Sequence, residues 1–213
     1  EGMKTLSAYQ VASLRILSAG LVLVPTAIRD LRKLASKDIP YTILSGLLGS
    51  FFPAYLFCIA ETKIDSSVAG ILNALTPLFT IIIGVGFFGL RPSLWKWIGI
   101  ITGFAGLVLL IVSGSRDISF ANISYAGFIL LATVFYGLNV NMVSQRLSHI
   151  PSITLASIAF STLTIPALAV LAYTGYFSMD TSGEFLYSTG ASAVLGIFGT
   201  AIASILFYML MKR

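Results

Sequence analysis

Apolar runs long enough to cross a bilayer follow one another along almost the whole chain, separated by short polar joints. Seven are recognisable, near 6–28, 40–60, 66–88, 95–114, 123–143, 151–174 and 188–211. Each approaches the roughly 20 mostly apolar residues that a membrane-spanning helix needs. The pattern therefore predicts seven transmembrane helices. The first run is longer than the apolar segment of a signal peptide and contains Arg15, so it reads as a span.

Polar positions inside the runs are the next signal. The stretch AGILNALTPLFTIIIGVGFFGL, residues 69–90, carries Asn73 and a Thr76-Pro77 step. With Ser66, Gly70, Thr80 and Gly84 they recur every three or four residues, which places them on one helix face. Similar stripes occur on the second run (Ser45, Gly49, Pro53), the sixth (Thr154, Ser157, Ser161, Thr164) and the seventh (Ser192, Gly196, Thr200, Ser204). On the fifth, Tyr136 and Asn139 form a shorter pair. Polar groups are costly in hydrocarbon, so these faces turn toward protein or a water-filled cavity. Gly, Ser and Thr at such spacing read first as surfaces for close helix packing, as does GIITG at 99–103. For Asn73, Thr76-Pro77, Tyr136 and Asn139, packing and cavity lining weigh equally, because larger polar groups and a proline that frees a carbonyl are expensive unless used. Arg15 lies about 14 Å from the start of its helix. It is either a functional group or an anchor that caps helix ends or pairs with Glu61.

Composition agrees with the pattern: of 213 residues, 57% are hydrophobic and 10% charged, which leaves nothing for a soluble domain. The net charge of +5 is spread over loops without interleaved aromatics, which excludes nucleic acid as a partner. It reads as topology instead. Arg29, Arg32, Lys33, Lys37, Arg91, Lys96, Arg146, Lys212 and Arg213 fall on one side, against Lys4, Lys63 and Arg116 on the other. The first set belongs in the cytoplasm, which puts the N-terminal end outside and the C-terminal end inside. Cys58 is the one cysteine and lies within a span. The one histidine, His149, sits in a cytoplasmic loop, and no His-Glu-x-x-His motif, nucleophile elbow or cysteine cluster occurs. No enzyme, cofactor or metal is expected. The alternative class is a seven-helix receptor or sensor, against which stand the short cytoplasmic loops and, for a retinal protein, the lack of a mid-span lysine.

Weak internal symmetry adds organisation. SLRILSAGLVLVPTAI (13–28) matches TLASIAFSTLTIPALA (154–169), with Pro25 and Pro166 at corresponding places. LLGSFFPAYLF (47–57) and VLGIFGTAIASILF (194–207) share Leu-Gly-x-Phe. Together these imply a unit of five helices, and an odd number gives successive units opposite orientations.

The segment SLRILSAG, the continuous stretch from LLGSFFPAYLF through Ala60 and Pro77 to GFAGLVLLIVSG, and YAGFILLATVFYGLNVNMVSQRL together resemble the EamA-type members of the drug/metabolite transporter superfamily. The resemblance covers nearly the whole chain. It implies an all-α integral membrane protein, its seven helices part of a ten-helix inverted-repeat (5+5) transporter fold with both ends in the cytoplasm. The family usually carries Glu in the loop after its fourth helix, where FGLRPS has Leu90. The seven helices would be the second to the eighth of about 300 residues, at about 30 residues per further helix and loop. Residues 1–115 would form a first repeat lacking its first helix, and 120–213 a second lacking its last two. The expected function is export or exchange of a small polar or amphipathic metabolite, amino-acid-like or drug-like, across the bacterial inner membrane by alternating access. By resemblance the third, fourth, sixth and eighth helices line the cavity. The candidate substrate-cavity residues are Pro53, Tyr55, Asn73, Thr76, Pro77, Tyr136, Asn139, Thr200 and Tyr208, with Arg15 from the neighbouring helix. The partners are a small-molecule substrate and the lipid bilayer, with a homodimer as an option.

Overall fold

The computed structural model describes residues 5–113, 123–179 and 181–211, and among them every regular element is a helix. Helix α1 (Ala8–Asp30) begins at a capping box: the Ser7 hydroxyl accepts from the Gln10 N–H and the Gln10 side chain accepts from the Ser7 N–H. It passes through Pro25 and gives way to two short 3₁₀ turns, Leu31–Lys33 and Ser36–Asp38. The second span is α2 (Ile39–Gly46) and α3 (Phe52–Ala60), joined by a π-helical turn, Leu47–Phe51. The third is broken into α4 (Ser66–Asn73) and α5 (Thr76–Phe88), because Pro77 has no N–H to continue the ladder across Ala74 and Leu75. Gly89, with φ of 63°, closes α5 in the left-handed conformation that favours glycine. Then follow α6 (Leu94–Ser113), α7 (Ile123–Arg146) and α8 (Ser152–Tyr173). The last span is α9 (Gly183–Gly196) and α10 (Ala203–Met211), again joined by a π-helical turn, Ile197–Ile202.

Six helical stretches are long and apolar enough to cross a membrane: Ala8–Lys33, Ser36–Ala60, Ser66–Phe88, Ser124–Arg146, Ser152–Tyr173 and Gly183–Met211. The remaining apolar run of the sequence is the 20-residue α6. Large apolar side chains such as Phe87, Trp95, Ile165 and Phe198 are exposed around the outside, as a lipid-facing surface requires. The protein is an all-α, multi-pass integral membrane protein.

The centre of the fold is α1 against α8, its most extensive helix pair. Gly20 makes the approach feasible, since a Cβ there would meet the Thr164 hydroxyl and lie 2.7 Å from the Phe160 carbonyl. The Ser/Thr stripe of α8 serves this packing: Ser157 and Thr164 donate to carbonyls of their own helix, and Thr154 donates to Asp30 across the interface at 2.8 Å. On the other side, α3, α4 and α5 pack on α7. Gly137 lies against the backbone of Phe79 and Thr80, and Asn141 stitches the pair by donating to the carbonyls of Thr80 and Gly137, each at 2.8 Å.

At the end carrying the basic loops, the buried carboxylate of Asp30 receives Lys33 at 2.6 Å and Arg29 at 3.1 Å besides Thr154. Nearby, Asp38 meets His149 at 2.9 Å and the Arg146 guanidinium stands 5.5 Å over the Tyr41 ring. His149 is thus a half-exposed loop residue tied to the start of the second span.

The two π turns share a local sequence. Each starts directly after a glycine in Gly-x-x-Gly-[Ser/Thr]: Gly46 to Ser50, and Gly196 to Thr200. This register pairs Gly49 with Gly199, three residues on from the pairing that the Leu-Gly-x-Phe match suggests. The first glycines also pack alike. Gly46 rests on Ala159 and Leu163 of α8, and Gly196 rests on Arg15 and Ser18 of α1.

Candidate functional site

A cavity of about 230 Å³ opens among α1, the α2–α3 span, α4, α7 and the α9–α10 span. Its walls are Arg15 from α1, Asn73 from the end of α4, Tyr136 from α7, and Ala54, Phe57 and Glu61 from α3 and its cap. The π turns contribute Gly49, Ser50, Gly199 and Thr200, and α10 contributes Ser204. A π turn widens the helix by one residue and displaces backbone from the regular ladder, which is how two otherwise apolar spans present glycine and hydroxyl to the cavity. Behind Gly49 the Asn139 amide is packed so closely that a Cβ at Gly49 would strike it.

The electrostatics of the cavity are unusual for a membrane interior. Arg15 lies beside the Cys58 thiol, and its Nε is buried without a hydrogen-bond partner. The Thr200 hydroxyl and the Asn139 carbonyl oxygen are likewise buried and unpartnered. A buried polar group left unsatisfied costs about 1–3 kcal/mol, so such groups collect where a ligand or water completes them. Glu61 supplies a carboxylate to the same cavity, yet among the described residues no ion pair joins it to Arg15. The cavity thus holds one cationic and one anionic group, with the Arg15 side chain hydrogen-bonded to Cys58 and its Nε without a partner. Among the described residues no three His, Cys, Asp or Glu side chains gather as a metal site would require.

Of the ten residues singled out in the sequence, Arg15, Asn73, Tyr136 and Thr200 line this cavity. Thr76 stands behind Asn73, donating to its backbone carbonyl at 2.7 Å and lying 3.1 Å from its side-chain oxygen, so it fixes the amide. Pro77 faces a separate groove of about 280 Å³ between α5 and α6, with Leu78, Ile81, Lys96, Gly99 and Phe104. Pro53 is buried just after the first π turn. Tyr55 turns toward α1, its hydroxyl 2.6 Å from that of Ser13 and its ring 4.8 Å from Phe51. Asn139 is buried behind Gly49, and Tyr208 is buried with its hydroxyl 2.9 Å from Ser45. Sequence reasoning did not single out Ser50, Ala54, Phe57 and Gly199, and it took Glu61 only as a partner for Arg15. The repeated Gly-x-x-Gly-[Ser/Thr] was the signal that could have found Ser50 and Gly199.

Comparison with known proteins places this architecture. A protein-family model described as the EamA-like transporter family matches residues 1–112. An uncharacterised transporter of Archaeoglobus fulgidus is 27% identical over 211 residues, covering 99% of this chain and 73% of its own length. The uncharacterised transporter YdfC of Bacillus subtilis is 27% identical over 207 residues, covering 94% and 64% respectively. The S-adenosylmethionine uptake transporter of Rickettsia felis is 25% identical over 206 residues, covering 96% of this chain and 65% of its own. The chain therefore spans between 64% and 73% of the length of these relatives. No solved structure matches it. With 112 of 213 residues inside the family model and the apolar helices to cross a membrane, the chain belongs to the EamA-like transporter family.

Proposed function

We propose that this transporter carries a small zwitterionic metabolite through the cavity at Arg15 and Glu61 by alternating access. The observation that carries the reading is a pair of opposite charges in one cavity, among the described residues not joined to each other by an ion pair, with Phe57 and Tyr136 supplying apolar contact and Asn73, Ser50 and Thr200 supplying hydrogen bonds. A carboxylate on the solute would meet Arg15 and an ammonium would meet Glu61, so that a zwitterion satisfies both charges and a singly charged solute leaves one exposed to low dielectric. A volume of about 230 Å³ falls below the range of about 300–1,000 Å³ typical of drug-sized sites, which favours solutes of amino-acid size.

In this reading the chain forms helices two to eight of a ten-helix inverted repeat, with residues 1–115 and 120–213 belonging to successive five-helix units. The matching Gly-x-x-Gly-[Ser/Thr] turns and the matching seats of Gly46 and Gly196 support it. Transport runs in the direction of export or exchange. The second direction, uptake, is favoured by the name of the Rickettsia relatives, whose solute S-adenosylmethionine also carries an amino-acid head group. Full-length protein in proteoliposomes, loaded with unlabelled amino acids on one side and a labelled one on the other, tests the proposal. Counterflow of zwitterions that is lost in Arg15→Gln is the expected result. Transport of uncharged solutes alone, or undiminished zwitterion counterflow in that variant, would overturn it.

A further inference from the structure

Between the cavity and the basic loops the protein is closed, and the closure has a definite construction. Glu61, at the far end of α3, marks the end of the cavity away from those loops, and the π turns with Gly49, Ser50 and Thr200 form its floor. Directly beyond the floor, the Ser45 and Tyr208 hydroxyls share a buried hydrogen bond of 2.9 Å that bridges α2 and α10. Around Tyr208 lies an apolar plug of Leu23, Val143, Leu147, Leu155 and Phe160, drawn from α1, α7, the joint after it and α8. Outermost, Asp38 is tied to His149 and Tyr41 to Arg146, both contacts holding the start of the second span against the α7–α8 joint.

From these layers we infer that Tyr208 is the gating residue for the cytoplasmic side, with α2 the element it releases. The inference rests on the cavity being the solute path. The three contacts that restrain α2 (Asp38, Tyr41, Ser45) lie on one side of the π turn at Leu47–Phe51, and the cavity residues Ser50, Ala54 and Phe57 lie on or beyond it. A π turn has poorer backbone pairing than the helix on either side, and Pro53 removes a further N–H just after it, so bending concentrates there. Tyr208 suits the role because its hydroxyl reaches α2 while its ring belongs to the plug. Breaking the Ser45 hydrogen bond removes the innermost of the three contacts on α2 and leaves the Tyr208 hydroxyl held only by the Asn139 side chain of α7. Gly46 completes the device. It rests on Ala159 and Leu163 without a side chain of its own, so α2 can leave that seat without pulling out an interlocked group.

The test is the sidedness of access to the cavity, which needs no knowledge of the solute. Ser50→Cys is introduced into full-length protein with Cys58→Ala, and right-side-out and inside-out vesicles are treated with a membrane-impermeant maleimide. Labelling should come chiefly from the outer side. Ser45→Ala, which removes that hydrogen bond alone, should raise labelling from the cytoplasmic side by about fivefold, the population shift that one such bond supplies, and Tyr208→Phe, which also removes the Asn139 contact, should raise it at least as much. Unchanged cytoplasmic labelling in both variants, with outer labelling intact and the protein monodisperse, would overturn the gate alone. A reporter reached from neither side would overturn the cavity as solute path, and the gate with it.

Discussion

Gly196 on α9 and Ser18 on α1 meet where there is no room for a side chain. A Cβ on Gly196 would collide with the Ser18 hydroxyl and lie 2.5 Å from the carbonyl oxygen of Arg15. The obstacle is backbone, which cannot rotate aside. Gly196→Ala should therefore force α9 off α1, and inserted volume of this kind costs about 1–3 kcal/mol. At the corresponding seat a Cβ on Gly46 would lie 3.1 Å from the end of Leu163 and 3.3 Å from Ala159, mostly side-chain atoms with some give. Thermal unfolding in detergent should show a clear loss of stability for Gly196→Ala and a smaller one for Gly46→Ala. Equal losses would mean that the two seats do not differ as their contacts indicate.

The charges in the cavity make a separable prediction. Removing Arg15 as Arg15→Gln takes away a charge-assisted hydrogen bond worth about 1.5–3 kcal/mol, or roughly 10- to 100-fold in affinity for a solute carboxylate. The Glu61→Gln variant should do the same for the ammonium. Transport assays with zwitterions and with their carboxyl-blocked esters or amides, which keep the ammonium, would resolve the two. Arg15→Gln should raise KM for the zwitterion and leave a carboxyl-blocked analogue little affected, whereas Glu61→Gln should penalise both as long as the amine is charged. Variants that shift all solutes alike would show that these residues hold the fold and not the solute.

How far the sequence could be read depends on the physical scale of each feature. Span length is summed over many residues, so the membrane class and the all-helical architecture were legible. The break at Asn73–Thr76 was legible too, because proline removes a donor wherever it sits. The α8 stripe of Ser and Thr reads first as a packing surface, and in the structure it packs against α1, where Gly20 on the partner helix allows the close approach. The π turns were hidden, since a one-residue widening leaves no periodic trace in a run that is apolar throughout. They in turn decide that Ser50 and Thr200 reach the cavity while Pro53 and Tyr55 do not. Glu61 was read only as a partner for Arg15, and the structure places it in the cavity wall with no ion pair between the two among the described residues.

Asn73 and Thr76 should differ in how sharply they matter. The Asn73 amide is in the wall, while the Thr76 hydroxyl only holds it, through contacts of 2.7 and 3.1 Å to the Asn73 carbonyl and side-chain oxygens. Asn73→Leu should abolish transport with membrane insertion intact. Thr76→Val, which keeps shape and loses the hydroxyl, should lower it about three- to tenfold, in line with a loose but present amide. Proteoliposome transport normalised to correctly folded protein decides the matter, and a Thr76→Val defect as large as that of Asn73→Leu would place the threonine itself on the solute.

Asn139 and Asn141 provide the clearest contrast, because they are two residues apart on α7 and so about 200° apart around it. Asn141 faces α5, and its amide nitrogen donates to the carbonyls of Thr80 and Gly137 at 2.8 Å each. Asn139 faces Gly49 and the Tyr208 hydroxyl, to which its side chain is hydrogen-bonded, while its oxygen has no partner. Replacing a satisfied polar bridge in a membrane protein costs about 0.6 kcal/mol on average and up to about 1.7, and the second acceptor places Asn141 toward the upper figure. Replacing a half-satisfied one loses its bond to Tyr208 but also removes the desolvation penalty of the unpartnered oxygen. Asn141→Leu should therefore lower thermal stability measurably, and Asn139→Leu should lower it less. If Asn139→Leu proves the more destabilising of the two, its oxygen has a partner in the membrane, and bound water at the cavity floor would be the first group to look for.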